Sequence, residues 1–334
     1  MTTTEQQPTR SRAAYREVEV DLEVRRREVS ADGVVTLTLA EPGGADLPEW
    51  TPGAHIDLVM TPSLVRQYSL CGETANRYEW RVGVLLDPNS RGGSQFVHDK
   101  LHEGTTVRIR GPRNHFPLVS SPRYQFVAGG IGITPMLPMI EAAEATGADW
   151  HLLYGGRARA SMGFIDALER HGERVTICAR DEQPDGFRTN LTGLLEVAQE
   201  NTLVYCCGPE GLLQAIEEAC SHWPGDSLHV ERFSAKALEE PSPDALQSFE
   251  VECQRSGVVL TVPHDKSIYE AAEEVGVDVL GSCMEGVCGT CECDVLEGEP
   301  EHRDSVLNEA EKARNETIMI CVSRSRSERL VLDL

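Results

Sequence analysis

The sequence predicts a multidomain chain that combines an all-β part, an α/β part and a small cysteine-bearing part. Three observations predict it. Residues 17–120 carry short runs of alternating apolar residues broken by turn residues, as in a small barrel. From Tyr124 short apolar runs alternate with helix-period segments over about 110 residues, the pattern of a doubly wound parallel sheet. Residues 248–334 hold Cys283, Cys288, Cys291 and Cys321, spaced C-x4-C-x2-C with a distant fourth cysteine.

The elements follow in order. Residues 1–16 are polar and aperiodic and read as a disordered tail; the opening MTTTEQQPTRSR lacks the apolar stretch of a secretory signal. VEVDLEVRRREV (18–29) and VVTLTLA (34–40) are strands separated by Ala31-Asp32-Gly33. HIDLVM, RQYSL and YEWRVGVLL are further strands, and GGSQFVHDKL (92–101) is a helix. In 121–234 the strands are QFVAGG, WHLLYGG, VTICAR, TLVYCCG and LHVERF, with helices near 135–146, 161–171, 191–200 and 209–220. Residues 235–247, rich in Pro and Glu, read as a linker. The last part opens with strands SFEVECQ and VVLTV and a helix over 267–276.

Composition narrows the function. The 334 residues include 40% hydrophobic side chains, enough for several cores, and carry a net charge of −23. Nucleic-acid binding calls for a basic face, so that class is excluded. No apolar run reaches the roughly 18–20 residues of a membrane span. A cytoplasmic monomer is expected, whose acidic surface favours cationic partner surfaces.

The cysteine spacing is that of a plant-type [2Fe–2S] cluster, three ligands on one tight loop and the fourth from a separate segment. Gly281, Gly286 and Gly289 interleave the loop and let the backbone fold around a cluster. A zinc site would pair C-x2-C with a second such pair or with histidines, and this loop has only one. A disulfide framework fits poorly with 11 cysteines and no secretory signal. Cys71, Cys178, Cys206, Cys207, Cys220, Cys253 and Cys293 read as small buried residues.

Two corners of the α/β part can take a nucleotide. Gly129, Gly130 and Gly132 end the first strand, and Thr134-Pro135 opens a helix whose N-terminus favours an anion. The glycines do not follow G-x-G-x-x-G, so this signal alone is weak. Cys207, Gly208 and Pro209 end the fourth strand at the same sheet edge. Arg157, Arg159 and Ser161 follow the second strand and can contact a ribose or phosphate; a solvated loop is the competing reading. In the barrel, Arg66 and Tyr68 share a strand face, where a phosphate and a planar ring can be held. Arg91-Gly92-Gly93-Ser94 before a helix offers a second phosphate cradle.

RQYS, GGIGITP, CCGP and the cysteine loop, in that order, resemble the ferredoxin–NADP reductase superfamily, and within it the phthalate dioxygenase reductase and vanillate O-demethylase reductase family, over residues 17–334. The resemblance implies a flavin-binding Greek-key β-barrel (17–120), an NAD-binding α/β domain (121–234) and a β-grasp ferredoxin domain (248–334). It implies that Arg66, Gln67, Tyr68 and Ser69 bind the flavin, with Gly92, Gly93 and Ser94 at its phosphate. The flavin is FMN by this resemblance, with FAD the alternative. Gly129, Gly130, Gly132, Thr134, Pro135, Arg157, Cys207, Gly208 and Pro209 fall at the dinucleotide, and Phe233 shields the flavin ring. Ser69, Thr134, Cys207 and Phe233 stand at the reacting centre. Asp181 accepts from a ribose and repels a 2′-phosphate, which favours NADH over NADPH, although Arg157 and Arg159 pull the other way. The expected activity carries electrons from NADH through FMN and the cluster to a Rieske-type oxygenase or demethylase. The alternatives are a cytochrome P450 partner and a non-catalytic electron-transfer subunit.

Overall fold

The computed structural model describes residues 18–62, 64–88, 91–234 and 247–334. The expected tail and all but the last residue of the expected linker lie outside these.

The first part contains β1 (Val18–Ala31), β2 (Val34–Ala40), β3 (His55–Thr61), β4 (Leu64–Ser69), β5 (Trp80–Leu85), α1 (Gly93–Lys100) and β6 (Thr106–Arg113). In β1, alternation buries Leu22 and Val24 while Asp21 and Glu23 point outward. The six strands form an antiparallel sheet in the order β4-β3-β6-β1-β2-β5. A bridge between Leu70 and Val82 links its two ends, so the sheet curls into a barrel. Leu37, Leu39, Ile56, Trp80 and Ile109 fill its interior.

The second part contains β7 (Arg123–Gly129), α2 (Met136–Thr146), β8 (Asp149–Gly156), α3 (Ile165–Glu169), β9 (Val175–Ala179), α4 (Gly186–Leu195), β10 (Thr202–Cys207), α5 (Glu210–Ala219) and β11 (Leu228–Glu231). Its strands are all parallel in the order β11-β10-β7-β8-β9. Separate cores lie on the two faces, around Phe126 and Tyr205 on one and Val127 and Leu213 on the other. The strand order reverses between β7 and β10, which opens a crevice at their carboxyl ends.

The third part contains β12 (Phe249–Cys253), β13 (Val258–Val262), α6 (Ile268–Glu274), β14 (Glu292–Glu297), β15 (Pro300–Glu301), α7 (Glu309–Arg314), β16 (Thr317–Met319), β17 (Arg324–Ser325) and β18 (Arg329–Leu332). Five strands order as β13-β12-β18-β14-β16, with β12 and β18 parallel. Helix α6 buries Ile268, Ala271 and Ala272 in this sheet's core and is held at its start by a Ser267–Glu270 capping box. This is a β-grasp, so the architecture has the three expected kinds of part.

Three local expectations are corrected. The helix expected over 161–171 is a 3-10 turn at Arg159–Ser161 and then the short α3, because Phe164 takes a left-handed φ of 65° and interrupts it. The helix expected over 191–200 is α4, displaced toward the N-terminus. Its buried face is Leu191 and Leu195, and no comparable apolar residue continues it into Gln199 and Glu200. Finally, Phe233 lies two residues beyond the end of β11 rather than at its last position, and it is 44% exposed.

Candidate functional site

The cysteine loop wraps inward around its own sulfurs. Cys288, Cys291 and Cys321 are buried and Cys283 half-buried. Cys321 follows β16, so the fourth thiol does arrive from a separate strand. Met284, Gly286 and Gly289 take left-handed φ values of 56°, 66° and 72°, which bend the loop tightly. Gly286 also passes so close to Val322 that a Cβ would lie 2.6 Å from its Cγ2. Backbone N–H groups of Glu285 and Thr290 donate to the sulfurs of Cys283 and Cys288 at 3.3 and 3.4 Å.

These residues fit a two-iron cluster. Among the described residues, no three His, Cys, Asp or Glu side chains converge as they would on a single ion. The thiols meet in pairs instead: Cys283 with Cys288, Cys291 with Cys321, and Cys283 with Cys321. Contact with Cys283, then burial, pushes the Cys288 thiol far up. The Cys321 thiol rises to about 12: Cys283 lowers it, but Cys291 and burial prevail. Thiols so disfavoured as thiolates become good ligands only when a cation takes up their charge.

The barrel supplies an anion cradle. Arg66 donates to the carbonyls of Val65 (2.7 Å) and Arg91 (3.1 Å), which lays its guanidinium beside the start of α1. A Cβ on Gly93 would lie 2.5 Å from Arg66 Cγ, so glycine there is what allows this approach. Gly92 caps α1 with φ 89°, and the buried Ser94 hydroxyl accepts from Asp87 N at 3.1 Å. Tyr68 packs against the barrel core, and burial pushes its phenol up. Gln67, which lines the same cleft, has its amide on Asp57 and Ser282.

The glycine corner is built from close backbone approaches. Gly130–Ile133 form a 3-10 turn between β7 and α2, and Pro135 stands just before α2. The buried Thr134 hydroxyl donates to Ile131 O at 2.9 Å, and Thr134 packs against Gly83 of β5, where a Cβ would lie 2.9 Å from Thr134 Cγ2. The barrel therefore reaches the crevice of the second sheet. Cys207, Gly208 and Pro209 stand opposite, and a Cβ on Gly132 would lie 2.3 Å from Cys207 O. Arg157 and Asp181 lie farther out on the rim. The Asp181 carboxylate accepts from Arg159 N at 3.3 Å, while the Arg159 guanidinium is taken by Glu182 (2.9 Å) and Glu169 (3.4 Å).

A cleft joins the barrel cradle to the cysteine loop and the end of β11; Arg66, Ser69, Glu231, Phe233, Cys283 and Cys288 line it. It thus brings together residues expected at the flavin, at its shield and at the cluster. Sequence reasoning missed Glu231. It pairs in register with Cys207, whose thiol donates to its carboxylate at 3.9 Å, and the buried Ser69 of the barrel lies close to it. Burial pushes the Glu231 carboxyl up to about 8, against the opposing influence of Ser69 and Cys207. Its position at the carboxyl end of a strand beside the glycine corners was the available signal.

The Glu231 shift has a pH signature. A carboxyl favoured in its protonated form by the fold stabilises the fold most below 4.5, and that stability is lost as pH rises toward about 8. Glu231→Gln is expected to remove this slope, so the variant gains in urea midpoint over the parent at pH 8.5 relative to pH 5. Parallel midpoints at the two pH values would contradict the shift.

Comparisons with known proteins agree with this geometry. The model of a 2Fe-2S iron-sulfur cluster binding domain matches residues 251–326, and that of an oxidoreductase NAD-binding domain matches 126–218. The phenoxybenzoate dioxygenase subunit beta of Ectopseudomonas oleovorans is 39% identical over 94% of this chain and 97% of its own. The solved phthalate dioxygenase reductase, described as a modular structure for electron transfer from pyridine nucleotides to [2Fe-2S], is 34% identical with a TM-score of 0.67, covering 95% of this chain and 98% of that one. A type IV self-sufficient cytochrome P450 monooxygenase is 44% identical with a TM-score of 0.88; the match covers 95% of this chain but 41% of that one. Since its relatives align from end to end and both catalogued domains are present, the chain belongs to the phthalate dioxygenase reductase-like family of oxidoreductases that serve oxygenase systems.

Proposed function

We propose that this chain is the NADH-dependent reductase of a Rieske-type oxygenase or demethylase, with FMN held in the barrel and a [2Fe–2S] cluster held by Cys283, Cys288, Cys291 and Cys321. When bound, the flavin accepts a hydride and the cluster moves single electrons, which matches two-electron to one-electron chemistry. The observation that carries the reading is the shared cleft, where Arg66 and Ser69, Glu231 and Phe233, and Cys283 and Cys288 line one space.

The residues divide the work. Arg66 and the N–H groups opening α1 at Gly93 and Ser94 bind a phosphate. Ser69, Thr134, Cys207 and Glu231 ring the place where a nicotinamide meets the flavin face, and Phe233 covers that face. Glycines 129, 130 and 132, with Gly208 and Pro209, admit the dinucleotide backbone. The Asp181 carboxylate on the rim accepts from an unphosphorylated ribose. Arg159 is already committed to two carboxylates and is a poor ligand for a 2′-phosphate, which favours NADH. All eleven cysteines are free, which suits a reducing cytoplasm. Among the described residues no helix is long and apolar enough to cross a membrane.

A cytochrome P450 partner is the second reading, favoured by the likeness to the self-sufficient monooxygenase. Stopped-flow mixing with NADH tests the core proposal, with flavin bleaching on a catalytic timescale expected. Chromatography of released flavin is expected to give FMN. The ratio of kcat/KM for NADH over NADPH is expected to exceed about tenfold, equivalent to roughly 1.4 kcal/mol of discrimination; a preference for NADPH would refute the Asp181 argument. Sedimentation is expected to show a monomer. Electron delivery to a purified Rieske oxygenase and to a P450 separates the two partners.

A further inference from the structure

The cysteine loop is seated on the barrel at three points. Before the first ligand, Ser282 Oγ accepts from Gln67 Nε2 at 2.8 Å. The second hydrogen of the same amide goes to Asp57 Oδ1 at 3.0 Å, and Asp57 is fully buried and paired with Arg113 at 2.5 Å. The position of Ser282 is therefore tied to a charge pair inside the barrel. Just after the first ligand, Glu285 meets Arg91 in a two-pronged ion pair, at 2.6 and 2.8 Å. Between the second and third ligands, Gly289 lies against His115, so close that a Cβ would be 2.4 Å from Nε2.

We propose that Arg91–Glu285 and Gln67–Ser282 form a docking latch, and that Ser282 and Glu285 are positioning residues that hold the cluster loop on the flavin cradle. This rests on the function proposed above. Arg91 immediately precedes the glycines of the cradle, and its carbonyl accepts from Arg66. The ion pair thus joins the segment expected to hold the flavin phosphate to the segment that holds the cluster. The two-pronged geometry fixes orientation as well as distance. The pair is partly exposed, 61% and 32% for the two side chains, so its contribution is modest and releasable. The Gln67 contact is better covered and sets the resting position. Electron passage between groups held on different parts of a chain depends on that position, whereas a hydride step confined to the barrel and the second sheet does not.

The test uses the holoprotein and the variants Glu285→Arg, Arg91→Glu with Glu285→Arg, and Ser282→Ala. Backbone hydrogen exchange over residues 281–291 reads docking without any turnover. Glu285→Arg replaces attraction by repulsion and is expected to speed that exchange about tenfold. It is expected to slow cluster reduction after mixing with NADH while flavin bleaching keeps the parental rate. The double variant restores the ion pair in reverse and is expected to recover the parental exchange; because Arg91 borders the flavin cradle, exchange alone is read in it. Ser282→Ala, which changes no charge, is expected to raise exchange a few-fold. Parental exchange in both Glu285→Arg and Ser282→Ala, or a double variant no better than Glu285→Arg, overturns the latch. Loss of flavin bleaching in the parent protein instead overturns the reductase reading itself.

Discussion

Replacing Cys283 by serine is expected to abolish the cluster's visible absorbance and the reduction of one-electron acceptors such as cytochrome c. Flavin bleaching by NADH is expected to persist. Cys283 stands beside both Cys288 and Cys321, so its loss would leave a bound cluster with one iron held by a single sulfur of the chain. No other thiol can step in. Cys293, two residues from a ligand in sequence, is on β14, buried in the core of the third sheet with its thiol near Asp294 O at 3.6 Å. The glycine corners and the barrel cradle are formed by other parts of the chain, which is why the hydride step should survive. Loss of bleaching as well would show that the parts do not work as separable modules. The readout is a pair of single-mixing traces, one following the flavin and one following the acceptor.

Asp57→Ala is expected to destabilise the barrel by about 3–5 kcal/mol, the range for removing one member of a buried ion pair. Asp57 is fully buried, its partner Arg113 is nearly so, and their closest approach is 2.5 Å. Removing the carboxylate leaves a guanidinium inside the protein without that counter-charge. Nearby His55 cannot supply the missing counter-charge, because an imidazole carries no negative charge; burial first, then Arg113 and His115, holds its pKa well below the ordinary value. Asp57→Asn keeps the shape and one acceptor for Gln67, and a smaller loss is expected. Urea unfolding followed by flavin release isolates the barrel from the other parts. A loss below about 1 kcal/mol would mean that the pair is solvated and the burial argument wrong.

The parts of this molecule that read clearly from sequence are those with short-range causes. Strand alternation in β1 and the apolar run of β2 follow from local pattern, and so do the cysteine loop and the glycine corners. The failures have long-range causes. Phe164 ended a helix by adopting a left-handed conformation that nothing in its neighbours dictates. Leu191 and Leu195 determine where α4 sits, yet their shared face is visible only once the sheet lies beneath it. Glu231 was missed although its place at the end of a strand offered a signal, because its neighbour Ser69 is 162 positions away in sequence. Gln67 lines the same cleft as Arg66 and Ser69, but its hydrogen bonds to Asp57 and to Ser282 of the cysteine loop, 215 residues on, could not be read from its own strand.

The floor of the crevice between β7 and β10 has a consequence for how such a protein can change. A Cβ on Gly129 would lie 2.8 Å from Pro209 Cδ, one on Gly208 would lie 3.1 Å from Gly129 Cα, and one on Gly132 would run into Cys207 O. These glycines are closed in by main chain and by the side chains of Pro209 and Leu212, so a larger residue at any of them meets an immediate clash. Substitution at this floor therefore costs the corner its shape, whereas Asp181 and Arg157, both exposed, can be exchanged without disturbing it.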